Sequence, residues 1–430
     1  MNYHITNGYL LLEDGDGFQA VRKDLFIRDG KIASIGQAPE TGESFKVVDA
    51  GDRLIMPGLI NMHTHVYMTG MRNYADDVPF GEWLFNRVMP VEDTLTAEAA
   101  YWCNLLGMIE MIRTGTTTFV DMHMFHEQSC RAASQTGLRG YIGRGLVGGS
   151  LYEEGNRRFP EAMEEMEKYK SDTLEFILSP HAIYSCSVDL MKEVVRESDT
   201  RGLLRQTHLS ESLTEVENCR KEHGKTPVAL LDDIGFLSDR TILAHCVQMQ
   251  DDDIARIAAS GATVVTNPAS NAKLSNGFAP IREMQTAGVN ICLGTDGAAS
   301  NNTLNMFREM GLFTMIHKGV NRDSTAAPAA FTLKTCTSNA AKALGRAGEL
   351  GVIAEGACAD LIFLDLNAVS LFPNNNIVSS LCYSANGSEV TDTMVNGRFL
   401  MRDRRLLTVD EEEVYAHVRA FQKQFLKASL

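Results

Sequence analysis

The sequence predicts a (β/α)8 TIM barrel joined to a small discontinuous β-sandwich made from its two ends. Three observations predict it. Eight short apolar runs alternate with longer helix-patterned stretches after Pro57. Most of those runs end in a polar or titratable residue, as barrel strands do where they reach an active-site mouth. The chain before residue 57 and after residue 350 reverts to strand-and-turn character.

The elements follow in order. Residues 1–56 hold "YHITNGYLLLEDGDG", "AVRKDLFIRDGKIASIG" and "FKVVDAGDRLIMPG", β-rich pieces punctuated by Gly, Asp and Asn. Within them "RDGKIASIG" reads as a hairpin with Asp29-Gly30 at its tip. Residues 57–349 carry the eight strand candidates: "GLINMHTH", "TTTFVDMH", "RGYIGRGLV", "LEFILSPHA", "LLRQTHLSE", "TILAHCVQ", "ATVVTNPAS" and "NICLGTDG". Helical patterns such as "AEAAYWCNLLGMIEMIRTG" and "DDDIARIAASG" lie between them. Residues 350–408 return to strands, "ELGVIAEGACADLIFLDL" and "EVTDTMVNGRFLMRDRRLL", and would complete the N-terminal layer. Residues 409–430 begin acidic and end basic, the order that suits a helix dipole.

Composition narrows the class. The chain has 430 residues and a net charge of −15, which argues against a nucleic-acid backbone or an anionic membrane as the main partner. Nine scattered cysteines with no CxxC pair fit reduced thiols. The N-terminus lacks the basic-then-apolar order of a signal peptide, and no apolar run approaches the ~20 residues that span a bilayer. These features point to a cytoplasmic protein.

The chemistry gathers at the strand ends. His63 and His65 lie at i and i+2 of an extended run, so their imidazoles share a side. His208, Glu211, His245 and Asp296 end later strands. Taken singly, each has a plain structural reading: a satisfied histidine, a loop carboxylate, an aspartate opening a turn. Together they place ligand-type groups at the ends of several strands of one barrel. Three or four N/O ligands with an open position suit a catalytic Zn²⁺ or Fe²⁺, and a non-ligand Glu211 beside the bound water could shuttle protons.

The stretches "PGLINMHTH", "GTTTFVDM", "PHAIYSCS", "THLSES", "AHCV", "NPASNAKLSNGFAP" and "LGTDGAASNN" resemble the amidohydrolase superfamily, and within it the S-adenosylhomocysteine/methylthioadenosine deaminases. The likeness spans nearly the whole chain. It implies one divalent metal, Zn²⁺ first with Fe²⁺ or Mn²⁺ as alternatives, held by His63, His65, His208 and Asp296. It implies that His245 and Asp296 orient and deprotonate the water and that Glu211 protonates the ring nitrogen. His181 would hydrogen-bond the purine, Glu82 would accept the ribose hydroxyls, and Arg144 would meet a distal carboxylate. The implied reaction is hydrolytic deamination of an adenosine-type nucleoside at C6. A homo-oligomer, dimer or tetramer, is common among such proteins.

Some segments depart from the pattern. The fourth strand offers no lysine to bridge two metals, which favours a single ion. "MTGMRNYADD" and "LVGGSLYEEGNRRF" differ from the commoner forms, which leaves the 5′ substituent open. His123 and His126 read as packing or pocket lining rather than a second metal site. Three other readings stay open: the same machinery on guanine, a pterin or a triazine; hydrolysis of a cyclic amide; and a barrel that binds without catalysis.

Overall fold

A computed structural model describes residues 2–39 and 44–423. Its centre is a closed barrel of eight parallel strands: Leu59–His65, Thr116–His123, Arg139–Leu146, Leu174–Pro180, Leu204–Leu209, Thr241–His245, Thr263–Thr266 and Asn290–Leu293. Each pairs with the next in chain order. The last returns to the first through Asp296–Gly297, which sets Asp296 against Thr64 and Gly297 against His65. The step that closes the barrel therefore also brings Asp296 to the two histidines.

Met62, Val120, Tyr141, Ile177, Ile242, Val265 and Cys292, from seven of the strands, pack into one buried cluster. The barrel centre is thus a filled core rather than a pore. Closure leaves little room where the ends meet. A Cβ on Gly294 would lie 2.7 Å from the His63 backbone nitrogen, so the eighth strand can approach the first only with glycine there.

The intervening helices start and stop where their end residues dictate. Ser187, Ser212 and Thr226 cap three N-termini by accepting from backbone amides. Gly202, Gly224 and Gly261 end helices in the left-handed conformation.

The chain termini build two further sheets. In the seven-stranded one, the C-terminal strand Leu361–Leu364 runs antiparallel to Leu54–Pro57. The four-stranded one contains the anticipated hairpin, Leu25–Arg28 with Lys31–Ile35, and both Asp29 and Gly30 take positive φ at its tip. Ile5, Leu10, Ile27, Ile55, Phe363 and Phe399 join the two sheets in a shared apolar cluster. The C-terminal helix is seen over Glu411–Phe421, while residues 424–430 lie outside the described part. It lies on helix Ala97–Arg113, where Trp102 stacks on His417 at 3.8 Å and Arg113 pairs with Glu411. All nine cysteines are buried free thiols. Among the described residues no helix is long and apolar enough to cross a membrane.

One buried ion pair ties the barrel to the terminal sheets. Arg139, on the third strand, grips Asp360 through two bonds of 2.7 and 3.1 Å. Both side chains are almost wholly buried, and Asp360 also accepts from the Asn396 amide at 2.7 Å. Removing one partner would strand a buried charge. Asp360→Ala should therefore destabilise the protein by about 3–5 kcal/mol in urea titration. Replacing both partners with apolar residues of similar volume should recover much of that loss.

Candidate metal centre and active site

His63, His65, His208, His245, Glu211 and Asp296 are brought together at the carboxyl ends of their strands, all less than a tenth exposed. Backbone strain helps to aim two of them. His245 and Asp296 adopt φ of 71° and 61°, a region that non-glycine residues enter reluctantly and that recurs at functional sites.

The outer atoms of these side chains are already committed. His65 Nδ1 bonds the Met122 carbonyl at 2.8 Å, and His208 Nδ1 bonds the His181 carbonyl at 2.7 Å. Only a protonated nitrogen can donate to a carbonyl, so each neutral ring turns a lone pair on Nε2 inward. Asp296 Oδ2 accepts from Ser270 at 2.8 Å and Ser300 at 2.7 Å, which leaves Oδ1 facing the histidines. His63 is fully buried, and neither of its ring nitrogens has a hydrogen-bond partner. A buried donor or acceptor left in that state normally calls for a ligand.

The inner atoms have metal spacing. His65 Nε2 lies 3.2 Å from His208 Nε2 and 3.3 Å from Asp296 Oδ1, and His63 Nε2 lies 3.6 Å from Asp296 Oδ1. Ligand atoms placed tetrahedrally about 2.0–2.1 Å from an ion stand roughly 3.3 Å apart. Two unprotonated nitrogens at 3.2 Å repel unless a cation lies between them. The donor set His63, His65, His208 and Asp296 therefore fits one divalent ion. His245 reaches the same centre, grouped with His63 and Asp296.

Burial, then the neighbouring His65, pushes His63 down to about 3. Burial and His181 hold His208 well below the usual histidine value. Both rings are thus neutral, as metal ligands must be. Burial would raise Asp296, but the surrounding histidines and the hydrogen bond from Ser300 outweigh it and hold the carboxylate below its usual range. Burial would lower His245, yet Glu211 and Asp296 together lift it above the ordinary range. Burial raises Glu211. Glu211 stands outside the ligand set. Its Oε2 is 3.8 Å from His245 Nε2, and its Oε1 accepts from Asn276 at 2.9 Å.

His181 borders this cluster, with its ring 4.7 Å from that of His208 and its Nδ1 bonded to Ser185 at 2.8 Å. Two other expected residues are placed elsewhere. Arg144 packs outward against the helix layer and pairs with Glu161 at 2.8 Å and Glu165 at 3.7 Å. Strand alternation explains this, because Tyr141 on the same strand joins the barrel interior and residue 144 falls on the opposite face. Glu82 lies on a π-helix, Glu82–Val88, where it binds Asn86 and Arg87 of its own turn rather than the cluster.

Two residues not singled out from the sequence also lie in the connections that follow the strands carrying His65 and Arg144. Glu92 accepts from the hydroxyl of Tyr67, which follows His65 by two residues. Arg158 donates to the Gly145 carbonyl at 2.8 Å and is close enough to His181 to lower it. The one signal for Arg158 was its place in "LVGGSLYEEGNRRF", a segment that departs from the family pattern. His123 and His126 do not join the cluster. His123 is held by Asn104 and the Phe125 amide, and His126 by Glu165 and the Ile142 carbonyl.

Comparison with known proteins agrees with this geometry. The Amidohydrolase family model matches residues 54–400. A 5-methylthioadenosine/S-adenosylhomocysteine deaminase of Thermoanaerobacter pseudethanolicus is 39% identical, with 99% of this chain and 100% of that relative covered. A protein of the same name from Thermococcus sibiricus is 43% identical over 93% of this chain and 94% of its own length. The crystal structure of an adenosine deaminase from Xanthomonas campestris with bound zinc superposes with a TM-score of 0.91. That structure is 29% identical, covering 99% of this chain and 100% of the other. With its metal-spaced histidines and aspartate at the mouth of a closed barrel, this chain belongs to the amidohydrolase family.

Proposed function

We propose that this protein is a metal-dependent hydrolytic deaminase that converts an adenosine-type nucleoside to its inosine analogue and ammonia. The observation that carries the reading is the inward-facing set His63, His65, His208 and Asp296, with Glu211, a carboxyl outside the ligand set, beside it. The relatives' names supply the substrate class.

A divalent ion held by His63, His65, His208 and Asp296, zinc by preference, would make a hydroxide available at neutral pH. The chain's own groups do the rest. His245, fixed by Asn271 at 2.9 Å, orients the attacking water with Asp296. Burial raises Glu211 above the usual carboxylate range, which favours its protonated form, and its Oε2 stands where it can give that proton to N1 of the adenine. That proton lets the ring accept the electron pair as oxygen bonds to C6. The proton that His245 and Asp296 take from the water passes to the amine, and the C6–N bond breaks to release ammonia and leave the carbonyl of the inosine analogue. His181 is left with Nε2 uncommitted and stands where it can hydrogen-bond the purine.

The sugar is recognised by Glu92 rather than Glu82. A carboxylate accepts two vicinal hydroxyls well, and Glu92 is bonded to Tyr67, two residues after the metal-facing His65, whereas Glu82 is held by Asn86 and Arg87 of its own turn. Arg158 serves as the cation for a negatively charged 5′ tail, the part first given to Arg144. The terminal segments act as one discontinuous sandwich that braces the barrel through Arg139 and Asp360.

An ammonia-release screen tests the reading. 5′-Methylthioadenosine, S-adenosylhomocysteine, 5′-deoxyadenosine and adenosine are the substrates, with guanine, a pterin and a chlorotriazine as rivals. Turnover of a rival with none of the nucleosides would overturn it. Removing metal with a chelator should abolish turnover, and added Zn²⁺ should restore it. Glu211→Gln should keep its metal by elemental analysis yet lose about 10²- to 10⁴-fold in kcat. Unchanged kcat would take Glu211 out of the mechanism.

A further inference from the structure

We propose that Tyr67 is a positioning residue that holds the Glu92 carboxylate in place for the ribose diol. This rests on the adenosine-type reading of the site. Tyr67 sits two residues after His65, in the short 3-10 helix Val66–Met71, and is 3% exposed. Its hydroxyl donates to Glu92 Oε1. Its ring is backed by His123, with centroids 4.4 Å apart. His123 is itself fixed, bonded to the Asn104 side chain at 3.0 Å and accepting from the Phe125 amide at 2.7 Å. The phenol is therefore clamped from behind and presents one hydroxyl at a set point.

Glu92 depends on that point. It ends the short helix Met89–Glu92, and among the described residues its side chain makes no other hydrogen bond. A carboxylate has about four lone-pair sites. Tyr67 occupies one, which leaves Oε2 and the rest of Oε1 for two sugar hydroxyls. The terminal torsion of a glutamate is broad and weakly preferred. Arg158 is near enough for its charge to act on Glu92. Without the phenol, the carboxylate would swing toward Arg158, and the diol would meet it out of register. The same contact ties the sugar acceptor to the strand that carries His63 and His65, so ribose and metal are set from one piece of backbone.

Tyr67→Phe removes the hydroxyl and keeps the ring on His123. Its KM for ribonucleosides should rise about 10-fold or more, the effect of losing a hydrogen bond to a charged group. Its kcat should change far less. Discrimination between adenosine and 2′,3′-dideoxyadenosine in kcat/KM should narrow by the same factor. Glu92→Asp, which withdraws the carboxylate from an intact Tyr67, should narrow it likewise and serves if the first variant folds poorly. Metal content should match the native protein in both. If Tyr67→Phe keeps native KM and discrimination while Glu92→Gln loses them, Tyr67 has no positioning role and the sugar assignment stands. If neither Tyr67→Phe nor Glu92→Gln alters discrimination, the assignment of the diol to Glu92 falls as well, and Tyr67 with it.

Discussion

Four acceptor atoms point at one place, and everything else in this chain is arranged to keep them there. The nitrogens of His65 and His208 face each other at 3.2 Å with their protons used elsewhere. In water such rings would rotate apart. Here the outward bonds of each ring fix its tautomer and its direction, and burial denies the rings water as a substitute partner. The arrangement is unfavourable on its own and becomes favourable with a cation at its centre. His63, buried with neither ring nitrogen hydrogen-bonded, is the ring whose chemistry most calls for such a cation.

Barrel closure and ligand assembly are the same event. Asp296 follows the eighth strand and pairs back to Thr64, so the aspartate cannot be in position unless the barrel is closed. Asn61 and Thr295 lock the joint through bonds of 2.7 and 3.0 Å. Gly294 lets the two backbones approach. The positive φ of Asp296 is strain that this closed joint can hold in place, since many bonds oppose its relaxation.

The strands and the polar residues gathered at their tips were legible in the sequence because they follow short-range rules. An apolar run ending in His or Asp identifies both the strand and the atom at its tip, and period-two alternation gives the shared side of His63 and His65. The substrate-facing residues obey no such rule. Glu82 and Glu92 lie on one helical stretch, and which of them meets the mouth depends on helical phase. Glu82–Val88 is wound as a π-helix, so its turn per residue differs from that of an α-helix and a phase drawn from 3.6 residues per turn fails. Arg144 was legible as a strand residue, but its face was not, because the alternation could be anchored only once Tyr141 was seen in the interior. Arg158 opens the helix Arg158–Tyr169 that follows a loop, and loops carry no periodicity from which direction can be drawn.

This difference also separates two jobs within the molecule. The groups proposed to handle the metal, the water and the transferred proton stand at or just beyond the ends of rigid strands, where a small displacement would be costly. The groups nearest to where a sugar or its 5′ tail would lie come from Val66–Glu92 and from the stretch around Arg158, both in connections that follow strands. Barrels of this kind change substrate by changing such connections while the strand ends keep their chemistry. The segments that depart most from the family pattern, "MTGMRNYADD" and "LVGGSLYEEGNRRF", fall within those two connections. Tyr67 lies between the two jobs. It belongs to a substrate-side connection yet sits two residues from a metal-facing histidine, so a change there moves the sugar acceptor relative to the reacting carbon. On the proposed reading, substrate choice in this chain would be set as much by how the first connection is braced against His123 as by which charged residues line the mouth.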